Sequence, residues 1–370
     1  MRKLYIWEHS GWPYLTWDNK ELSPLLGEVR NKQGQLTGKI SLLDNDLKNK
    51  TIHSAVVSDI MESAVIEGIK LDKEQVLITT GQYLSKKRFQ LSQTENISIG
   101  ASQIFIDSLY NYEKPVTEER LLLWRHALEG TVEFTKSSLG WLKTDMLKNF
   151  SPTKQVERKM EYFKIPIPDN TEEEMNSFLT WVNTNHPTDP VIKAGVAYLR
   201  FLLIRPFDKN NGRIARNISN IFLSRADNSS ERIYSISAQI ERERRQYNEI
   251  ITRTQTGGLD ITEWLRWFLY SIESSLINAE KALALVLNKS RFFDTFRLVS
   301  LNERQLKMIN TLLDGNYDGK ISTSTWAFVN KCSPDTALRD IQYLISKKML
   351  RKEVAGGRST SYCINNENII

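Results

Sequence analysis

The densest chemistry in the chain lies in Arg205-Pro206-Phe207-Asp208-Lys209-Asn210-Asn211-Gly212-Arg213-Ile214-Ala215-Arg216. Asn211-Gly212-Arg213 opens a helical pattern. A first helical turn offers free backbone N–H groups, and Arg213 adds a cation beside them, which is what a phosphate site requires. Arg213 and Arg216 stand three apart, so both side chains project over the same helix end. Pro206 and Phe207 read as anchors that fix the loop onto a core. Taken alone, Asn-Asn-Gly-Arg also describes an ordinary turn before a helix.

In full register the segment resembles the motif of the Fic family, His-Pro-Phe-x-(Asp/Glu)-Gly-Asn-Gly-Arg-x-x-Arg. Members of that family transfer AMP from ATP onto hydroxyl groups of other proteins. The resemblance implies ATP as the ligand, with Asn211 at the α-phosphate, Gly212 allowing close backbone approach and Arg213 gripping the outer phosphates. Asn210 and Arg216 complete the implied nucleotide site. Three positions depart from the motif: Arg205 replaces the His, Lys209 the acidic residue and Asn210 the first Gly. The family's His takes the proton of the attacking hydroxyl, whereas an arginine essentially never deprotonates. Lys209 reverses the charge at the position that holds Mg²⁺, so no metal site is expected there, and Asp208 can substitute only if the loop rearranges. Asn210 is the mildest change, because Asn tolerates left-handed backbone. Loss of base and metal ligand is expected to lower AMP transfer by ~10²-fold or more each, leaving a weak or inactive relative of the adenylyltransferases.

Ser63-Ala64-Val65-Ile66-Glu67-Gly68 resembles the family's inhibitory motif, (Ser/Thr)-x-x-x-Glu-(Gly/Asn). The resemblance implies that Glu67 pairs with Arg216 and blocks the γ-phosphate position, with Ser63 steadying the helix. A carboxylate–guanidinium pair competes directly for the charge a phosphate would use. Tyr162 to Pro168 reads as extended chain where the family has a β-hairpin flap that aligns the target segment. Tyr234, Gln239 and Tyr247 follow the motif where the family contacts nucleotide, but their spacing favours packing onto the core.

These residues need a helical scaffold. Residues up to about 18 carry Tyr5, Trp7, Trp12, Tyr14 and Trp17, an aromatic cluster suited to docking the N-terminus. Helical patterns begin near Asp18 and again near Thr51, the latter ending at Glu67-Gly68 with Gly68 as a C-terminal cap. Between them, Gln35 to Asn49 either prolongs the first helix or begins a second. Periodicity then runs from about Lys73 to Leu147, interrupted near Lys114–Thr117. Val191 to Ile204 is apolar on nearly all sides, as befits a central helix delivering the chain into the motif. The expected fold is mainly α: a Fic-type helical bundle with a small β-hairpin flap, plus a C-terminal winged helix-turn-helix. The expected divisions are 1–90, 91–290 and 291–370.

The last unit reads as helices at Leu301–Leu313, Ser322–Val329 and after Ser333-Pro334-Asp335, then two strands around Gly356-Gly357. In a winged helix, Thr336, Arg339 and Gln342 face a DNA groove and Arg358 reaches phosphate. Residues 301–370 hold ten Lys/Arg and seven Asp/Glu, which is +3 of the chain's +6. That suits a DNA-binding module, though solvated surface charge explains the excess nearly as well, and homodimer or intramolecular contacts are the alternative use of this unit. Cys332 and Cys363 are too few for a disulfide framework or a zinc site, and a reducing, cytoplasmic setting fits. No apolar run approaches the roughly 20 residues a bilayer requires.

Overall fold

The computed structural model describes residues 4–86, 91–92, 94–130, 141, 171–353 and 360–368. The chain divides into two compact units, Met1–Ala279 and Glu280–Ile370.

In the first unit the N-terminal segment is docked by backbone pairing. Thr16 N–H donates to the Leu259 carbonyl at 2.9 Å, and Ile261 N–H donates to Thr16 at 2.8 Å. Ile6 is fully buried, and the Trp12 indole donates to Glu174 at 2.7 Å. The Asp18 carboxylate then accepts from the N–H groups of Lys20 and Glu21, starting α1 (Asn19–Ser41).

Helix α2 (Asn45–Ile66) is a separate element, which resolves the two readings of residues 35–49. It starts six residues ahead of Thr51, because the Asp44 carboxylate accepts from Leu47 N–H at 2.9 Å. The polar run Lys48-Asn49-Lys50 hides that first turn from an apolar-period reading. Its far end closes as a Schellman motif: Gly68 N–H donates to Val65 and Ile69 N–H to Ala64, both at 2.9 Å. Gly68 sits at φ +69°, a left-handed position that favours glycine.

The periodicity expected from Lys73 to Leu147 with a break near Lys114–Thr117 becomes, within the described residues, α3 (Lys73–Lys86), α4 (Ile97–Tyr110) and α5 (Glu118–Glu129): the break before α5 falls where expected, and the one before α4 is additional. Asn96 and Thr117 make the cuts, their side chains accepting from first-turn N–H groups of α4 and α5. After α6 (Thr171–Asn183) comes α7 (Pro190–Ile204), in which every residue from Val191 onward is buried. It packs along α8 (Asn211–Asp227), the helix that begins inside the motif. Helices α9 (Ile236–Arg242), α10 (Arg244–Gln255) and α11 (Thr262–Thr295) follow. Tyr234, Gln239 and Tyr247 are all buried. Tyr234 donates to Asp227 at 2.8 Å, Gln239 to Glu243 at 2.6 Å, and Tyr198 donates to Tyr247 at 2.9 Å.

The second unit has its own core around Phe292, Ile309, Trp326, Ile341 and Leu344. Its elements after α11 are α12 (Glu303–Leu313), β1 (Lys320–Ser322), α13 (Thr323–Asn330), α14 (Pro334–Ser346), β2 (Leu350–Lys352) and β3 (Ser361–Ile364). The strands form an antiparallel sheet in the order β1-β3-β2, with Ile321 opposite Tyr362 and Arg351 opposite Cys363. Three residues long, β1 escapes a pattern reading. Ser333 caps α14, accepting from Thr336 N–H at 3.2 Å. The α11 helix runs without a break through the division between units, so no turn marks it in the sequence.

Among the described residues, no helix is long and apolar enough to cross a membrane.

Candidate anion site at the start of helix α8

Helix α7 ends at Arg205, whose backbone turns left-handed (φ +51°, ψ +59°) while its N–H closes onto Phe201 at 3.0 Å. Asn210 is left-handed as well, at φ +64°, where the related motif has glycine. The Asn211 amide laces the intervening loop: Phe207 N–H donates to its Oδ1 at 3.1 Å, and its Nδ2 donates to the Phe207 carbonyl at 2.6 Å. Phe207 is fully buried against Phe201 and Trp141. The loop is thereby fixed, and the first N–H groups of α8 emerge beyond it with no intrahelical acceptor.

Gly212 lies in that first turn. A Cβ at this position would stand 2.2 Å from Glu67 Oε1 and 3.2 Å from Arg216 Nη1. The glycine therefore admits the Glu67 carboxylate to the helix N-terminus, a place any anion favours. Arg216 Nη2 donates to Glu67 Oε1 at 3.2 Å and to the Ser63 carbonyl at 2.9 Å, while its Nε donates to Ser63 Oγ at 2.9 Å. The structure thus brings together Ser63, Glu67, Gly212 and Arg216 from segments about 150 residues apart. Burial depresses Arg216, but Tyr198, Glu67 and Tyr247 outweigh it and hold the guanidinium above the ordinary arginine range.

Arg213 Nη1 and Arg216 Nη1 are buried and find no hydrogen-bond partner among the described residues. Burial and the neighbouring Arg216 push Arg213 down to about 10, against the pull of Glu67. Half-buried Arg205 is also lowered by desolvation, with Glu67 and Asp208 opposing the shift. Guanidinium nitrogens left without acceptors in a buried place are costly unless an anion comes to them. The arrangement suits an anionic group such as a phosphate.

It does not fit Mg²⁺. Lys209 is exposed, and Asp208 accepts from Arg125 at 3.4 Å. A hard cation needs carboxylate oxygens, and the single carboxylate in this loop is held by a guanidinium.

Sequence reasoning missed two contributors. Arg244 donates to the Ile66 carbonyl at 2.6 Å, clamping the α2 terminus that carries Glu67. Arg125 lies 5.3 Å over the Phe207 ring as well as pairing with Asp208. Neither is signalled locally, since each partner lies far away in sequence. None of the hydrogen bonds of His9 and His53 involves the motif: His9 reaches Gly257 and His53 reaches Thr80. In the second unit, Arg339 and Gln342 are exposed on α14, while Thr336 is half-buried and bonded to Ser333 Oγ at 2.9 Å. Arg358 and the flap residues Tyr162–Pro168 lie outside the described residues.

Residues 133–223 match the Fic/DOC family model, and residues 5–83 match a domain of unknown function, DUF4172. The protein adenylyltransferase Fic of Nematostella vectensis is 35% identical over 63 residues, a match covering 16% of this chain and 15% of that protein. Among solved structures, a Fic family protein from Desulfovibrio desulfuricans superposes with a TM-score of 0.51 at 16% identity. That match covers 96% of this chain and 98% of the other, and it shows a shared fold. A Fic domain-containing signaling protein from Bacteroides thetaiotaomicron covers 70% of this chain and 97% of its own, at 20% identity and a TM-score of 0.47.

Proposed function

We propose, building on the match of residues 133–223 to the Fic/DOC family model, that the chain binds a nucleotide at the start of α8 with its AMP transfer impaired and its site held shut by Glu67. The observation that carries this reading is the Glu67 carboxylate, seated against Gly212 on Arg216. It lies at a helix N-terminus and accepts from a buried guanidinium, the two features an outer phosphate would use.

Transfer of AMP forms a bond from a target hydroxyl to the α-phosphorus, breaks the bond to the departing pyrophosphate, and releases the hydroxyl proton. Arg205 stands where that proton would be received, and it remains a guanidinium even after burial lowers it. Lys209 points to solvent. The loop therefore keeps a cradle for anions without a proton acceptor at the position that resemblance assigns to one.

Labelling with α-labelled ATP tests the reading. The native chain is expected to label neither itself nor added protein. A variant combining Arg205→His, Lys209→Asp, Asn210→Gly and Glu67→Gly is expected to label. Rapid labelling by the native chain, or silence from the folded restored variant, overturns the proposal.

A second reading rests on α14, which presents exposed Arg339 and Gln342 three residues apart and therefore on one face. In it the second unit is a winged helix that engages duplex DNA while the first unit senses nucleotide.

A further inference from the structure

About a turn and a half before the motif loop, near the end of α7, a second arginine is buried without an ion pair among the described residues. Arg200 is only 3% exposed, and among the described residues it makes no ion pair. Its Nη2 donates to Ser177 Oγ at 2.9 Å, while its Nε has no partner among those residues. The guanidinium lies 5.9 Å from the Phe178 ring and 5.8 Å from the Trp181 ring. Burial pushes it down to about 10, against Glu174 and Tyr14. Glu174, the acid on neighbouring α6, spends one oxygen on the Trp12 indole.

Arg200 lines a cavity of about 460 Å³ between the docked N-terminal segment and helices α6 and α7. Val196 lies beside it, Trp17, Leu15 and Trp181 supply flat apolar walls, and Thr180 and His186 stand at exposed positions of the lining. A cavity of this size suits a small organic ligand, and apolar walls with one convergent polar group are the usual composition of such a site. The lining contains a single arginine and no lysine, so it matches one negative charge rather than a polyphosphate. We propose that this cavity binds a small carboxylate with a planar aromatic body, its acid on Arg200 and its ring against Trp17 and Trp181. The carboxylate accepts from the Arg200 guanidinium where it lines the cavity, and the ring replaces water on the indole faces.

The test titrates 1-naphthoate and its neutral counterpart 1-naphthamide into the full chain, followed by calorimetry and by quenching of tryptophan fluorescence. Naphthoate is expected to saturate the protein with naphthamide at least about tenfold weaker, as loss of a charge-assisted hydrogen bond implies. Arg200→Met should weaken naphthoate by a similar factor. Thr180→Trp, at an exposed helix position, should block binding with the melting temperature preserved, and it decides the matter if Arg200→Met fails to fold. Absence of saturation by about 5 mM naphthoate, equal binding of the amide, or undiminished binding by the folded Thr180→Trp chain would overturn the proposal.

Discussion

Replacing Glu67 with glycine removes a carboxylate from a guanidinium that also binds Ser63 through two hydrogen bonds. Two effects of opposite kind follow. Without a ligand, Arg216 stays buried with fewer acceptors. Because the Glu67 side chain is 28% exposed, the cost is well below that of breaking a fully buried pair, about 1–2 kcal/mol. With ATP present, the vacated place offers the phosphate a charge-assisted hydrogen bond worth about 1.5–3 kcal/mol. That converts to an affinity gain of about 10- to 150-fold. Calorimetric titration of ATP without Mg²⁺ measures it directly, beside melting curves with and without nucleotide. Glu67→Gln, which keeps the bulk and loses the charge, should gain less than Glu67→Gly. If Glu67→Gly lowers the melting temperature as expected but binds ATP within twofold of the native chain, the carboxylate does not occupy a phosphate position and the reasoning fails.

Gly212→Ala should destabilise the native chain by about 1–3 kcal/mol through overpacking, since its Cβ would stand 2.2 Å from Glu67 Oε1. Much of that loss should vanish in the Glu67→Gly background, and urea melts of the double-mutant cycle would show a coupling of at least about 1 kcal/mol. Burial pushes Lys193, with Arg225 adding to the effect, down to about 8 from 10.5. The folded chain therefore sheds a proton between those pH values that the unfolded chain keeps, and stability should rise with pH across that window by about 2 kcal/mol. Lys193→Met should abolish the rise in melts taken from pH 7.5 to 10.5. If the second unit engages DNA, Arg339→Ala with Gln342→Ala should weaken duplex binding by the full chain about tenfold, with steep salt dependence. No shift of duplex at low salt would remove that reading.

The parts legible in the sequence are those whose signal is local. Gly212 between Asn211 and Arg213 announces a helix start that admits an anion, and Glu67 before Gly68 announces a helix end. Both stand where the pattern places them. The continuous apolar face of Val191–Ile204 likewise marks a central helix. What stayed hidden depends on partners distant in the chain. Arg244 gives no local hint that it caps α2, 178 residues away. Helix α2 begins before its apolar periodicity does, because a single carboxylate at Asp44 organises a polar first turn. Arg200 looks, with Lys193, like one of two charges interrupting an apolar helix, and only the packing of α6 and the N-terminal segment gives it surroundings. The departures at 205 and 209 were readable as chemistry, yet the engagement of Asp208 by Arg125 needed the folded chain.

Ser63 and Glu67 hold the same guanidinium from positions four residues apart, and Arg244 pins the carbonyl of Ile66, which lies between them at the end of α2. About one turn of rigid helix joins the two grips, so neither can slacken alone. On the proposed reading, whatever tilts α2 detaches both together, and the plug would act as a latch with a threshold: a weak pull would leave it closed, and a sufficient one would open it completely.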